Sequence, residues 1–195
     1  MSESVVNAVR AHLVSRFGGV EPASASVTFL GVEPLDVLLF PPDDEGFVHY
    51  TSLGCSRHPM GDPGELVADP TRGPRAELIL TLHGGAGVAS GIQRTLAVLA
   101  ASPSVEGIVL AADALIDLGE PLWKGVPFTA VLLGESEIPE LAVPEPADPV
   151  KFLSVVPLTA TEAAWVRLRG AEALREAWKE AGIDVRDPQR AAASL

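Results

Sequence analysis

The apolar residues of this chain come in short runs, and glycine or proline closes most of them. "LDVLLFPP" (35–42), "RAELILTLH" (75–83), "PFTAVLLGE" (127–135) and "VKFLSVVPL" (150–158) set the pattern. The punctuation is dense, with 18 glycines and 17 prolines in 195 residues. Runs of this length, rich in β-branched and aliphatic residues and bounded by turn formers, predict strands. None reaches half of the ~20 apolar residues that a membrane-crossing helix requires, so no membrane association is expected. "SVTFLG" (26–31) and "FVHYTSLG" (47–54) add two further strands. The run "IVLAADALIDLG" (108–119) fits either type.

Helical spacing is confined to three places. Val5, Val6, Val9, Leu13 and Phe17 fall near one face of a helix over residues 4–17, which Gly18 and Gly19 stop. Residues 88–101 form a second helix through Ile92, Leu96, Leu99 and Ala100, and "PSVEG" turns the chain after it. The third begins at Thr159, with Glu162 at capping-box spacing, so that each side chain satisfies a free N–H of the first turn. Leu168, Ala171, Leu174 and Trp178 are its inward stripe. Gly170 marks a bend or a break, and Gly182 a left-handed stop closed by Ile183. Clustered strands with helices before and after them predict an α+β fold, a mixed β-sheet flanked by helices. The length suits a single domain over 1–195. Residues 56–75, with four prolines and three glycines, read as a long surface loop. Residues 136–149, with four prolines and four acids, read as a linker or edge loop.

The formal charge is −12, unevenly spread. Residues 76–150 hold two basic and ten acidic side chains, a balance of −8, while residues 151–195 hold seven and six, or +1. Such acidity repels phosphate, so nucleic acid is excluded as an expected partner. Charge of this sign keeps a small protein soluble, and it also steers association with a basic protein. The start "MSESVVNAVRAHLVSRF" has no basic stretch followed by an apolar block, so no signal peptide is expected. A single cysteine forms no internal disulfide, and a cytoplasmic location follows as the expectation.

Three candidate chemistries can be weighed. In "LHGGAGVASG" (82–91), Gly85 and Gly87 provide two positions of a dinucleotide-binding loop, but Ser90 occupies the third and no βαβ unit opens the chain. Cys55 and His58 have the residue types of a nucleophile and its base, yet the spacing supplies no third group to orient them. A buried strand-end role for the cysteine is the simpler reading. His12, His49, His58 and His83 are scattered without metal-ligand spacing. No catalytic residue, cofactor site or metal site is therefore assigned. The alternative, a small cysteine-dependent hydrolase or transferase or a nucleotide-binding protein, rests on these same residues.

Three stretches together resemble the Suppressor-of-fused-like family. "HYTSLGCSRHPM" (49–60) is similar to its strand-and-loop signature, a Thr-x-Gly-x-Ser core before a proline-containing loop, here with one extra residue between Thr51 and Gly54 or with Ser52 in the threonine's place. "RAELIL" (75–80) resembles the following strand, with Arg-x-Glu-Leu and then aliphatics. "FLSVVPLTATEAAWVRLRGAEALREAWKEAGIDVRDPQR" (152–190) resembles the C-terminal block, a strand, Pro-x-Thr-x-x-Glu, a glycine-interrupted helix and Asp-Pro-x-Arg. The resemblance spans about residues 45–190 and implies an α+β fold of the short, single-domain bacterial type. It implies a non-enzymatic protein-binding module. Animal members hold a transcription factor, whereas short bacterial members are implied to be immunity proteins that neutralise toxins. The family supplies no catalytic residue.

The expected binding surface is the pair of acidic loops 41–46 and 135–148, with Asp43, Asp44, Glu45, Glu135, Glu137 and Glu140. Trp123, in a turn before a strand, is added as a partner anchor if exposed, with partial burial as the alternative reading. The expected partner is another protein with a basic surface, such as a cognate toxin, and the expected state is a monomer or weak homo-oligomer.

Overall fold

The structure, a computed structural model, describes residues 2–61, 66–67, 69–87 and 89–195. Its elements run α1 (Ser2–Arg16), β1 (Ala23–Val27), β2 (Leu35–Phe40), β3 (Phe47–Leu53), a 3₁₀ turn (Cys55–Arg57), β4 (Arg75–His83), α2 (Ile92–Glu106), β5 (Leu115–Asp117), β6 (Phe128–Glu135), β7 (Val150–Thr159), α3 (Ala160–Arg169) and α4 (Ala171–Glu180). The strands form one seven-stranded sheet in the order β1-β2-β3-β4-β7-β6-β5. Only the β4–β7 pair is parallel, so the sheet is mixed and the fold is α+β. No helix among the described residues is long and apolar enough to cross a membrane.

Side-chain alternation sends the strands' residues to two faces. Val37, Val48, Tyr50, Leu78, Leu80, Leu82, Leu153 and Val155 meet Ile92, Leu96 and Leu99 of α2 on one face. The other face is covered by two separate helical units. Val5, Val9 and Leu13 of α1 pack on Leu38, Phe40, Ile79 and Phe152. Leu174 and Trp178 of α4, with Ala163 and Val166 of α3, pack on Ala130, Leu132 and Leu158. Burying a residue of the Val, Leu or Phe class contributes ~1.5–3 kcal/mol, so these two patches fix where each unit sits. Between them the central strands carry polar residues, and this interval positions the site.

Several expected boundaries shift. The first strand lies at Ala23–Val27, not at 26–31, and Phe29 and Leu30 fall in the turn that follows it. α2 starts at Ile92 and runs through Pro103 to Glu106, where Gly107 at φ 71° stops it. "PSVEG" is thus the last helical turn; Pro103 lacks the N–H that would bond the Leu99 carbonyl, which accepts the Ser102 hydroxyl at 2.7 Å instead. Within 108–119 only Leu115–Asp117 is a strand. Leu168 is 79% exposed, because the break at Gly170 (φ 87°, ψ 167°) resets the helical phase and leaves the inward stripe of α3 to Ala163 and Val166. The capping box at Thr159 and Glu162 is formed as expected. Residues 62–65 and 68 of loop 56–75, and Val88 of the glycine-rich loop, lie outside the described residues.

Candidate functional site

The acidic turn between β2 and β3 is organised by Asp43. Its Oδ1 accepts the N–H groups of Glu45 (3.0 Å) and Phe47 (2.9 Å), and its Oδ2 lies 3.1 Å from His49 Nε2. The Phe47 N–H, followed by the His49 side chain, holds the Asp43 carboxyl below its ordinary range. An ionised carboxylate only accepts, so His49 Nε2–H donates to it, and Nδ1 lies 2.9 Å from the Thr81 hydroxyl. The His49 ring stacks on Phe17, with centroids 4.5 Å apart. The end of α1, the acidic turn and β4 thus meet at one imidazole.

His49 and Thr81 lie on a groove of ≈ 350 Å³ that opens in the interval between the helical units. Its lining draws on Ile79 and Thr81 of β4, Ser154 and Val156 of β7, and Phe17 past α1. Glu135, Ser136, Glu137 and Ile138 border it after β6, and Val185 and Arg186 after α4. A neighbouring depression of ≈ 420 Å³ shares Glu135, Ser154 and Val156 and reaches Trp178 and the Arg175–Asp113 ion pair (2.6 Å). Gly134 lines this depression, and a Cβ there would stand 2.9 Å from Ser154 Oγ, so the hydroxyl would have to rotate away.

Arg186 joins the two acidic loops. Its guanidinium bonds Asp184 at 3.0 and 3.2 Å and lies 4.2 Å from the centre of the Phe47 ring. Its pKa is raised first by the hydrogen bond to Asp184, with further contributions from the charges of Asp184, Glu45 and Glu137. One cation therefore feels Glu45 of the first acidic loop and Glu137 of the second. Asp43, Asp44, Glu45, Glu135, Glu137 and Glu140 are all exposed, and of these Glu135 and Glu137 line the groove itself.

Trp123 is the correction. It is 5% exposed, within the α2-side core and 5.7 Å from the Phe128 ring, so it presents no surface to a partner. Its turn is folded back over the sheet by Leu122 N–H bonding to the Phe128 carbonyl at 2.9 Å. Sequence reasoning missed His49, Thr81, Ser154 and Arg186. The available signal was period-two alternation, which puts isolated polar side chains of three apolar strands on a common face.

The candidate chemistries assemble no reaction centre. Burial, with the nearby Glu77 charge, pushes the Cys55 thiol well above its ordinary value, opposite to what a nucleophile needs. His58 is exposed and pairs with Glu33 at 2.6 Å. In the glycine-rich loop the Gly84 N–H bonds the Gly46 carbonyl, that of Gly85 the Leu82 carbonyl, and that of Ala86 the Tyr50 hydroxyl. Those donors are already engaged within the fold. Among the described residues, no three His, Cys, Asp or Glu side chains are placed to hold a metal ion.

The residues that carry the family-like signature form two buried clasps. Glu77 Oε1 accepts the Gly54 N–H (2.9 Å), the Ser56 N–H (3.0 Å) and the Ser56 hydroxyl (2.6 Å), and Oε2 accepts the Ser52 hydroxyl (2.5 Å). Arg75 donates to the carbonyls of Ser56, Arg57 and Thr71, fixing the loop after β3. At the other end, Glu162 receives the Thr159 N–H, the Trp178 indole N–H, the Ala193 N–H and both terminal nitrogens of Arg190. The clasp residues Glu77, Arg75, Glu162 and Arg190 do not line the groove, but His49, Ile79, Ser154, Val156, Val185 and Arg186 of the same stretches do.

The family model for Suppressor of fused protein (SUFU) matches residues 31–191. No curated protein matches the chain. Among solved structures, a SUFU homologue from Neisseria gonorrhoeae superposes with a TM-score of 0.67 at 20% identity, covering 97% of this chain and 96% of that one. A chain of the Sufu–Fu complex gives 0.66 at 14% identity, covering 96% and 91%. Drosophila Suppressor of Fused gives 0.64 at 16% identity, and the match spans 96% of this chain but 50% of that one. At these identities the superpositions speak to the fold, and the family model speaks to membership. The chain belongs to the Suppressor of fused protein (SUFU) family.

Proposed function

We propose that this chain is a non-enzymatic protein-binding module that neutralises a toxin as an immunity protein. Its groove and the acidic rim around it engage a basic surface of the partner. The observation that carries this reading is a groove lined by Glu135 and Glu137 of the second acidic loop, with His49, which bonds Asp43 of the first acidic loop, on its wall. A relative in the same fold, Sufu, has been crystallised in complex with Fu, which supports protein binding as the mode of action. The raised Cys55 thiol and the engaged N–H groups of the glycine-rich loop support a role without bond-making. In this reading the protein works in the cytoplasm as a monomer or weak homo-oligomer.

Electrostatic complementarity acts chiefly on association rate and specificity. The test is therefore capture of the product of the adjacent open reading frame on the immobilised chain, followed by calorimetry at low and high salt. The reading expects a complex that weakens as salt rises. A product that does not bind, or whose binding ignores salt, contradicts it.

A further inference from the structure

The groove has a definite chemical character, and one part of its wall shows how an aliphatic–arginine pair is held in this surface. Val185 lines the groove, and the next residue, Arg186, accepts the His83 N–H on its carbonyl at 2.8 Å. The Arg186 guanidinium lies over Phe47 and within the fields of Glu45 and Glu137. An aliphatic side chain followed by an arginine is thus seated at this rim by one backbone hydrogen bond, a cation–π contact of the kind worth ~0.5–2 kcal/mol, and carboxylates.

The same three kinds of contact remain on offer inside the groove. Phe17, Ile138 and Val156 are apolar and only partly buried. The Ser154 hydroxyl donates to the Glu135 carbonyl at 3.1 Å and keeps its own lone pairs for an incoming N–H. Glu135 and Glu137 carry no ion pair among the described residues. Arg16 and Arg186 also line the groove, and their charges disfavour a polybasic occupant. The volume lies in the ~300–1,000 Å³ range of sites for small ligands, which suits a few side chains of an extended segment and excludes a whole helix.

We propose that the groove binds an extended segment of the partner protein in which one arginine adjoins an aliphatic residue, the aliphatic side chain resting on Phe17, Ile138 and Val156 and the guanidinium between Glu135 and Glu137. This rests on the protein-binding reading above and names what the site recognises.

The test uses the full chain and fluorescence anisotropy of a short capped peptide with a central leucine–arginine pair in a glycine–serine background. Saturable binding is expected. The peptide with glutamate in place of arginine should not bind. The Glu135→Gln, Glu137→Gln double variant, altered only at exposed positions, should lose about tenfold in affinity, as expected when charge partners are neutralised. Ile138→Asp should abolish binding, and if that variant fails to fold, the double variant still decides. Absence of saturable binding, equal binding of the glutamate peptide or unchanged affinity in the double variant overturns the proposal. So does a captured partner that the leucine–arginine peptide fails to displace; in that case protein binding stands and this groove is not its seat. Displacement of a second copy of the chain, rather than of a partner, likewise overturns it.

Discussion

Glu162 and Arg190 meet twice inside the protein, Nη1 to Oε1 at 2.8 Å and Nη2 to Oε2 at 2.9 Å, with the two residues 0% and 7% exposed. The pair ties the start of α3 to the C-terminal segment, and Arg190 also reaches the Pro157 carbonyl of β7 at 2.7 Å. Removing one member leaves the other buried and unpaired. Arg190→Met or Glu162→Gln should therefore cost about 3–5 kcal/mol in urea unfolding. The double variant should cost less than the sum, since neither charge is then stranded.

The same carboxylate gives a pH dependence. Burial alone would raise the Glu162 pKa, but Arg190, the Trp178 indole and the Thr159 N–H outweigh it and hold the group below its ordinary value. A carboxyl depressed in the folded state contributes stability that is present above its unfolded pKa, about 4.3, and is lost as pH falls through the folded value. Unfolding midpoints of the native chain should fall as the pH drops below that range. Glu162→Gln should remove part of that slope.

Ser56→Ala tests the first clasp. It deletes the hydroxyl that bonds Glu77 at 2.6 Å while leaving the Ser56 N–H bond in place. Hydrogen bonds to charged groups are worth ~1.5–3 kcal/mol, so a destabilisation of about that size is expected in the same assay. A change below about 0.5 kcal/mol, the range of an ordinary surface substitution, would show that the clasp does not hold the loop.

Cys55 is half-buried, and it should react more slowly with thiol reagents in the native protein than after urea unfolds it. Burial and Glu77 both disfavour the thiolate. Labelling as fast under native conditions as in urea would contradict the raised thiol.

Most of the architecture was legible because it rests on local signals. Strand runs closed by Gly and Pro, the Thr159–Glu162 box and the Gly182 stop are each written within a few residues. What was not legible depends on long-range pairing. Leu168 looks inward when the helix is read as continuous, and only the Gly170 break turns it to solvent. Trp123 looks like a surface anchor in a polar turn, and only its fold-back onto Phe128 buries it. The acids Glu135 and Glu137 were visible as charge, but the groove they line exists because β7 inserts between β4 and β6, bringing Thr81, Ser154 and Glu135 onto adjacent strands. Glu77 and Arg190 were visible as charges in apolar or loop surroundings, and their hydrogen-bond partners lie too far away in sequence to be read off.

The central claim is that the acidic rim binds a partner without contributing to stability. Surface substitutions away from buried features shift stability by about 0.5 kcal/mol or less. The direct measurement is a calorimetric titration of the captured partner into the native chain and into Glu135→Lys, Glu137→Lys, with urea unfolding run alongside. The account predicts equal unfolding midpoints, and affinity that collapses in the variant. Undiminished affinity in a variant that folds normally would contradict it.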